Sequence, residues 1–234
     1  MRHALTIGRR EFNAYFTAPI AYIVIAIFLL VTGWFFFSTF FLLNQANLRN
    51  FFGLLPIIFA FVVPAVTMRL FAEEFHIGSY ETLLTLPVGF DDVVLGKFSA
   101  ACAFVAAMLL PTLAYPVTVA ALGALDWGPV IGGYLGAVLL GAAFAAVGLF
   151  ASALTRNQIV AFIIGLAICF GLTLVDQMAF FLPQVLASTL TYLAADVHFQ
   201  NVARGVVDTR DLIYFLSVCF IGLYATHLAL SSRN

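Results

Sequence analysis

The chain holds few side chains that could do chemistry: ten Lys and Arg, eleven Asp and Glu, four His and three Cys in 234 residues. Their spacing assembles no catalytic set. His3, His76, His198 and His227 are scattered and make no metal-ligand spacing with Cys102, Cys169 or Cys219, all of which lie in apolar runs. Lone histidines of this kind read as interfacial or capping residues. The one Gly-Lys pair, Gly96-Lys97, is followed by Phe98 and lacks the upstream glycine of a G-x-x-x-x-G-K-[ST] phosphate cradle. The chain is therefore read as a non-enzyme with no metal and no cofactor of its own.

Charge does concentrate in one place. Glu73, Glu74, Glu81, Asp91 and Asp92 all fall between positions 69 and 97. Within that stretch the pattern predicts a two-turn helix. Ser79 stands as N-cap after Gly78, Glu81 suits the positive helix start, and Pro87 forbids extension much beyond Leu86. Thr82 occupies the position where a capping-box Glu would stand. Tyr80, Leu83 and Leu84 then form an apolar patch at i, i+3, i+4. Such a patch needs a cover, either the rest of the chain or the groove of a soluble partner.

The elements that carry this stretch follow from composition. Hydrophobic residues make up 64% of the chain and charged residues 9%, with mean hydropathy +1.09. A soluble domain is about 45–50% apolar and about 25% charged. Net charge is −1, so no nucleic-acid footprint exists. Six runs free of Asp, Glu, Lys and Arg approach the roughly 20 residues a membrane helix needs: Pro19–Leu43, Phe51–Met68, Phe98–Leu122, Pro129–Leu154, Ile159–Val175 and Leu212–Leu230. The predicted class is an all-α polytopic membrane protein, and the continuous runs exclude a β-barrel. The first run exceeds a signal-peptide core and lacks a cleavage site, so it is expected to remain as a span.

With the N-terminus in the cytoplasm, six spans place Arg2, Arg9, Arg10, Arg69, Lys97, Arg156 and Arg233 inside and only Arg49, Arg204 and Arg210 outside. Met178–Ala195 is also uncharged, and a seventh span there would improve the charge split. Six is preferred, because Asp176 and Gln177 alone would have to reverse the chain. Pro183, Ser188, Thr189 and Thr191 suit instead an outer, broken re-entrant cap within residues 176–211.

Residues 1–17 read as an interfacial helix. Arg2, Thr6, Arg9, Arg10, Asn13 and Thr17 form its polar face, opposite Leu5, Gly8, Phe12, Tyr15 and Phe16. Pro56, Pro64, Pro111 and Pro116 fall inside spans two and three, where proline kinks helices. Gly132-x-x-x-Gly136 and Ala161-x-x-x-Gly165 are small faces that allow close helix approach.

The run Met68-Arg-Leu-Phe-Ala-Glu-Glu, the run Gly78-Ser-Tyr-Glu-Thr-Leu-Leu-Thr-Leu-Pro87 and the run Val94-Leu-Gly-Lys-Phe98 together resemble the first cytoplasmic loop of ABC-2 type transporter permeases. The gliding-motility-associated subfamily is the nearest in pattern. Arg10-Glu-Phe-Asn-Ala-Tyr-Phe-Thr-Ala-Pro-Ile-Ala-Tyr22 is similar to that family's entry into its first span. The resemblance implies one ABC-2 transmembrane domain over residues 1–234, acting as half of an exporter in the bacterial inner membrane. It implies a second permease subunit, identical or homologous, and two ABC ATP-binding subunits that carry ATP and Mg. An auxiliary extracytoplasmic subunit and membrane lipid are further candidate partners.

By the same resemblance, Ser79, Tyr80, Glu81, Thr82, Leu83, Leu84, Leu86 and Pro87 form the helix that couples to the ATPase. The pair Glu73 and Glu74 would meet the interfacial helix at Arg9 or Arg10. Family members often carry a basic residue shortly after that pair, where this chain has Phe75 and His76. The Ala161/Gly165 face becomes a candidate dimer seam.

Two other classes remain open at this level: a channel, and a membrane anchor that recruits a soluble protein. Only Asp176 and His227 bring ionisable groups near the spans, and both sit at span ends, which argues against an ion-coupled carrier. The uncharged aromatic and aliphatic spans favour amphipathic, lipidic or peptidic cargo.

Overall fold

A computed structural model describes residues 2–43, 47–78, 89–179, 191–206 and 208–232. All regular structure among them is helical: α1 (Arg2–Thr17), α2 (Pro19–Leu43), α3 (Arg49–Thr67), α4 (Arg69–Ile77), α5 (Phe90–Leu109), a 3-10 turn (Leu110–Leu113), α6 (Ala114–Leu122), α7 (Trp127–Leu154), α8 (Gln158–Ala179), α9 (Ala195–Ala203) and α10 (Thr209–Ser231). Six stretches of helix are long and apolar enough to cross a membrane. They start and stop within a few residues of the predicted runs, with two instructive exceptions. The second continues through α4 to Ile77, and the third begins at Phe90, well before Phe98. Most of the predicted 69–97 loop is thus helix. Arg69, Glu73, Glu74, Asp91, Asp92 and Lys97 lie on helical extensions that carry the two spans past their apolar limits.

The α3–α4 passage shows how the local break is made. Pro64 has no N–H, and only Met68 stands between the two helices. Ser152 of α7 inserts there: Phe71 N and Ala72 N both donate to its Oγ at 3.0 Å, and the hydroxyl donates to Met68 O at 2.7 Å. A side chain replaces part of the backbone ladder, which is one identifiable cause of a helix break. Pro111 acts more locally, at the start of the 3-10 turn that joins α5 to α6.

α7 is the central element. Asp126 caps it by accepting from Gly128 N at 3.0 Å, and its small residues let neighbours approach. A Cβ on Gly133 would strike the Phe52 ring, and one on Gly136 would crowd Phe199 of α9. Ala161 and Gly165 are also buried within the chain, with Gly165 facing Pro64 and Ala151. Their face therefore packs against α3 and α7 and is not free to form a dimer seam. The surfaces left most open belong to α2, α8 and α10.

Contacts between elements sort the residues into two ends. Tyr15, Val66, Arg69, Glu74, Lys97 and Ser152 lie at the α1 end, where Asp91 Oδ1 also comes within 2.8 Å of His227 Nδ1 in α10. Leu48, Asp126, Gln200 and Arg204 share a cleft at the opposite end. Asp176 and Asp196, on either side of the segment considered as a seventh span, are close enough to interact electrostatically. The chain thus leaves α8 and enters α9 on the same end, as six spans require.

Candidate coupling site

α1 packs on α5 through its 4, 7, 8, 11, 12, 15 face, whose members are buried or half-buried. Two glycines set the spacing: a Cβ on Gly96 would meet Ile7 and the Ala4 carbonyl, and one on Gly8 would meet Ser99. The amphipathic helix was expected, but its faces differ in detail. Leu5 points outward at 72% exposure, and Glu11 takes a place on the packed face.

Glu11 is there because Lys97 is. The Lys97 side chain is 1% exposed, with Nζ 2.7 Å from Glu74 Oε1 and 3.3 Å from Glu11 Oε1. Arg10 donates to the same Glu11 oxygen at 3.2 Å. An ammonium out of water must be paired, and here one carboxylate comes from α1 and one from α4 while the lysine belongs to α5. Lys97 also lies 5.2 Å from the Phe71 ring centroid. The expected contact of Glu73 or Glu74 with Arg9 or Arg10 is therefore corrected. Glu74 reaches α1 through Lys97 and Glu11, while Arg9 is exposed and Glu73 lines a small cleft beside Glu11 and Lys97.

A second clamp lies next to the first. The Arg69 guanidinium sits 4.7 Å over the Tyr15 ring, and Tyr15 OH donates to Val66 O at 3.3 Å. Burial pushes the Tyr15 phenol well above its ordinary pKa, against the opposing pull of Arg69, so it remains a donor. α1 is thus fastened to the end of α3, to α4 and to α5 together.

Those elements frame one segment. α4 ends at Gly78 with φ +79°, a left-handed C-cap that glycine adopts without strain. α5 starts after extended Gly89, with Asp91 and Asp92 in its first turn. Ser79, Tyr80, Glu81, Thr82, Leu83, Leu84, Leu86 and Pro87 lie outside the described residues, between these two anchors. So do Pro183, Ser188 and Thr189 of the predicted outer cap, of which Thr191 alone is described; its carbonyl accepts from Ala194 N at 3.2 Å.

At the opposite end, His198 of α9 is buried between three groups. Its Nδ1 is 2.6 Å from Asp211 Oδ1, its Nε2 is 3.1 Å from Tyr192 O, and its ring stacks on Tyr214 at 4.1 Å. These contacts tie α9 to α10. Sequence reasoning treated His198 as one of four scattered histidines, and it missed Lys97, Glu11 and Ser152. For Lys97 a signal existed, since it is a lone cation within Val94-Leu-Gly-Lys-Phe98.

The profile of the ABC-2 family transporter protein family matches residues 12–218, from the packed face of α1 to the middle of α10. The chain belongs to the ABC-2 transporter family. No curated protein matches it. As an ABC-2 permease it is a multi-pass membrane protein and the transmembrane component of an ABC transporter, which implies pairing with an ABC ATP-binding subunit. The matched residues include Glu74, Lys97 and both anchors of the 79–88 segment, while Glu11 lies one residue before the match begins.

Proposed function

We propose that this ABC-2 permease is half of a bacterial inner-membrane exporter, paired with a second permease subunit and driven by two ATP-binding subunits. It moves an amphipathic, lipidic or peptidic substrate outward, with both termini in the cytoplasm. Ser79–Leu86 is the coupling helix, and Tyr80, Leu83 and Leu84 enter a groove on the ATPase. Residues 176–211 form an outer cap. The loop motif supports placement in the gliding-motility-associated branch.

The observation that carries this reading is the buried Lys97 contact with Glu74 and Glu11. A displacement of the 79–88 segment must pull on α4 or α5, its direct flanks. Lys97 ties both to α1, and α1 runs into the first span at Pro19 with only Ala18 between them. A rigid junction of that kind transmits motion from a soluble motor to the spans.

The test is reconstitution of the permease with its ATPase in vesicles. Leu83→Glu with Leu84→Glu should leave insertion intact while transport no longer follows ATP hydrolysis. ATPase binding and transport both at the unsubstituted level would remove the coupling role from this segment. A channel would instead pass substrate without ATP.

A further inference from the structure

We propose that the cleft at the end opposite α1 binds the phosphate head group of a singly charged anionic amphiphile between Arg49 and Arg204. The cleft has a volume of about 570 Å³ and forms where the start of α3, the turn before α7 and the end of α9 converge. Its floor is apolar, made by the buried Leu48, Phe52 and Val130. Its rim carries the two guanidinium groups and Asp126. Among the described residues neither guanidinium lies within ion-pair distance of a carboxylate. Asp126 is occupied in capping α7 through Gly128 N.

Charge placement supports a ligand here. In the six-span layout only Arg49, Arg204 and Arg210 lie at this end, against the bias that keeps basic residues at the other. Arg210 sits beside Asp208, whose carboxyl its backbone N–H holds below the ordinary range. The other two line one cleft. With Asp126 counted, the rim carries a net charge of +1, which matches a phosphodiester better than a phosphate dianion.

The walls are built to hold shape. A Cβ on Gly132 would run into the Val202 carbonyl, and Gly205, at φ +85°, packs against Gly128. The His198–Asp211 contact keeps α9 in place. Trp127, next to Asp126, is half exposed, and tryptophan at the end of a membrane helix marks head-group depth. Arginine forks give phosphate oxygens paired, charge-assisted hydrogen bonds.

The full-length chain in detergent is titrated with dioleoylphosphatidylglycerol, dioleoylphosphatidylcholine or inorganic phosphate, and occupancy is read by native mass spectrometry. Phosphatidylglycerol should bind about tenfold more tightly than phosphatidylcholine, a modest return for charge-assisted bonds at an open rim. Arg49→Gln with Arg204→Gln should abolish that preference, while Arg210→Gln keeps it. If the double variant does not fold, added NaCl should erase the preference of the unsubstituted chain, as exposed charge pairs are screened. Excess phosphate that leaves the lipid bound identifies a membrane amphiphile as the occupant; phosphate that displaces it identifies a free anion on the same arginines. Equal binding of the two lipids, or a preference that survives the double variant, overturns the proposal. The cleft needs no ATPase, so failure here leaves the coupling reading intact.

Discussion

Lys97 and Glu74 are 2.7 Å apart in space and 23 residues apart in sequence, and the segment between them contains the stretch read as the coupling helix. The ion pair therefore ties α4 to α5 on the two sides of that segment. Glu11, from a position 86 residues before Lys97, adds α1 to the closure.

Removing the lysine should be severe. Lys97→Met leaves Glu74 and Glu11 facing each other with little water. Breaking a buried pair from one side typically costs about 3–5 kcal/mol, and replacing all members with apolar or neutral groups is often tolerated. Thermal unfolding in detergent should show a large loss for Lys97→Met and substantial recovery in Lys97→Met/Glu74→Gln/Glu11→Gln. Transport by the recovered triple variant should stay impaired, because the electrostatic tie between α1, α4 and α5 is gone. Normal transport by that variant would show that the ions serve stability alone.

Ser152→Ala should loosen the α3–α4 break. The substitution removes the acceptor used by Phe71 N and Ala72 N and the donor to Met68 O. Leaving buried backbone groups unpaired costs about 1–3 kcal/mol. The check is denaturation midpoint, together with faster amide exchange at Phe71 and Ala72.

Gly96→Val should push α1 off α5, since even the first added carbon would meet Ile7 and the Ala4 carbonyl. Limited proteolysis should then cut α1 faster than in the unsubstituted chain, with the spans intact. Unchanged cleavage would show that the α1–α5 spacing can relax.

Asp196 supplies a pH signature. Burial raises its carboxyl above the ordinary value of 3.8, the Gln200 hydrogen bond opposes the shift, and Asp176 adds to it. A raised folded-state value means that the folded chain holds this proton more tightly than the unfolded chain. Its contribution to stability is therefore fully present below 3.8 and is lost as pH rises through the folded value. Asp196→Asn should raise the melting temperature at neutral pH, and the gain should shrink in acid. A gain that does not vary with pH would assign the effect to packing.

Cysteine labelling tests the orientation. A reagent that cannot cross the membrane should modify a cysteine at Asp196 from outside and one at Ser231 only after the membrane is opened. Labelling of Ser231 from outside would reverse the layout.

The spans were legible along the sequence because a bilayer imposes a length and a composition on any helix that crosses it. That constraint is local, so Pro19–Leu43 could be read residue by residue. Between Met68 and Phe98 the break at Gly78 was legible for a similar reason, since a glycine cap acts within one turn. Lys97 was not legible as the centre of a buried cluster. Neither was Ser152 as the stitch in a helix 81 residues away, nor His198 as the tie between α9 and α10. Each depends on which helix faces lie together, and several faces of an apolar helix look alike in sequence. Leu5 and Glu11 illustrate the limit. Hydropathy alone puts the leucine inward and the glutamate outward, but a buried ammonium on the neighbouring helix outweighs one exposed leucine. Only the tertiary structure decides such exchanges, because the energy of a charge depends on its partners.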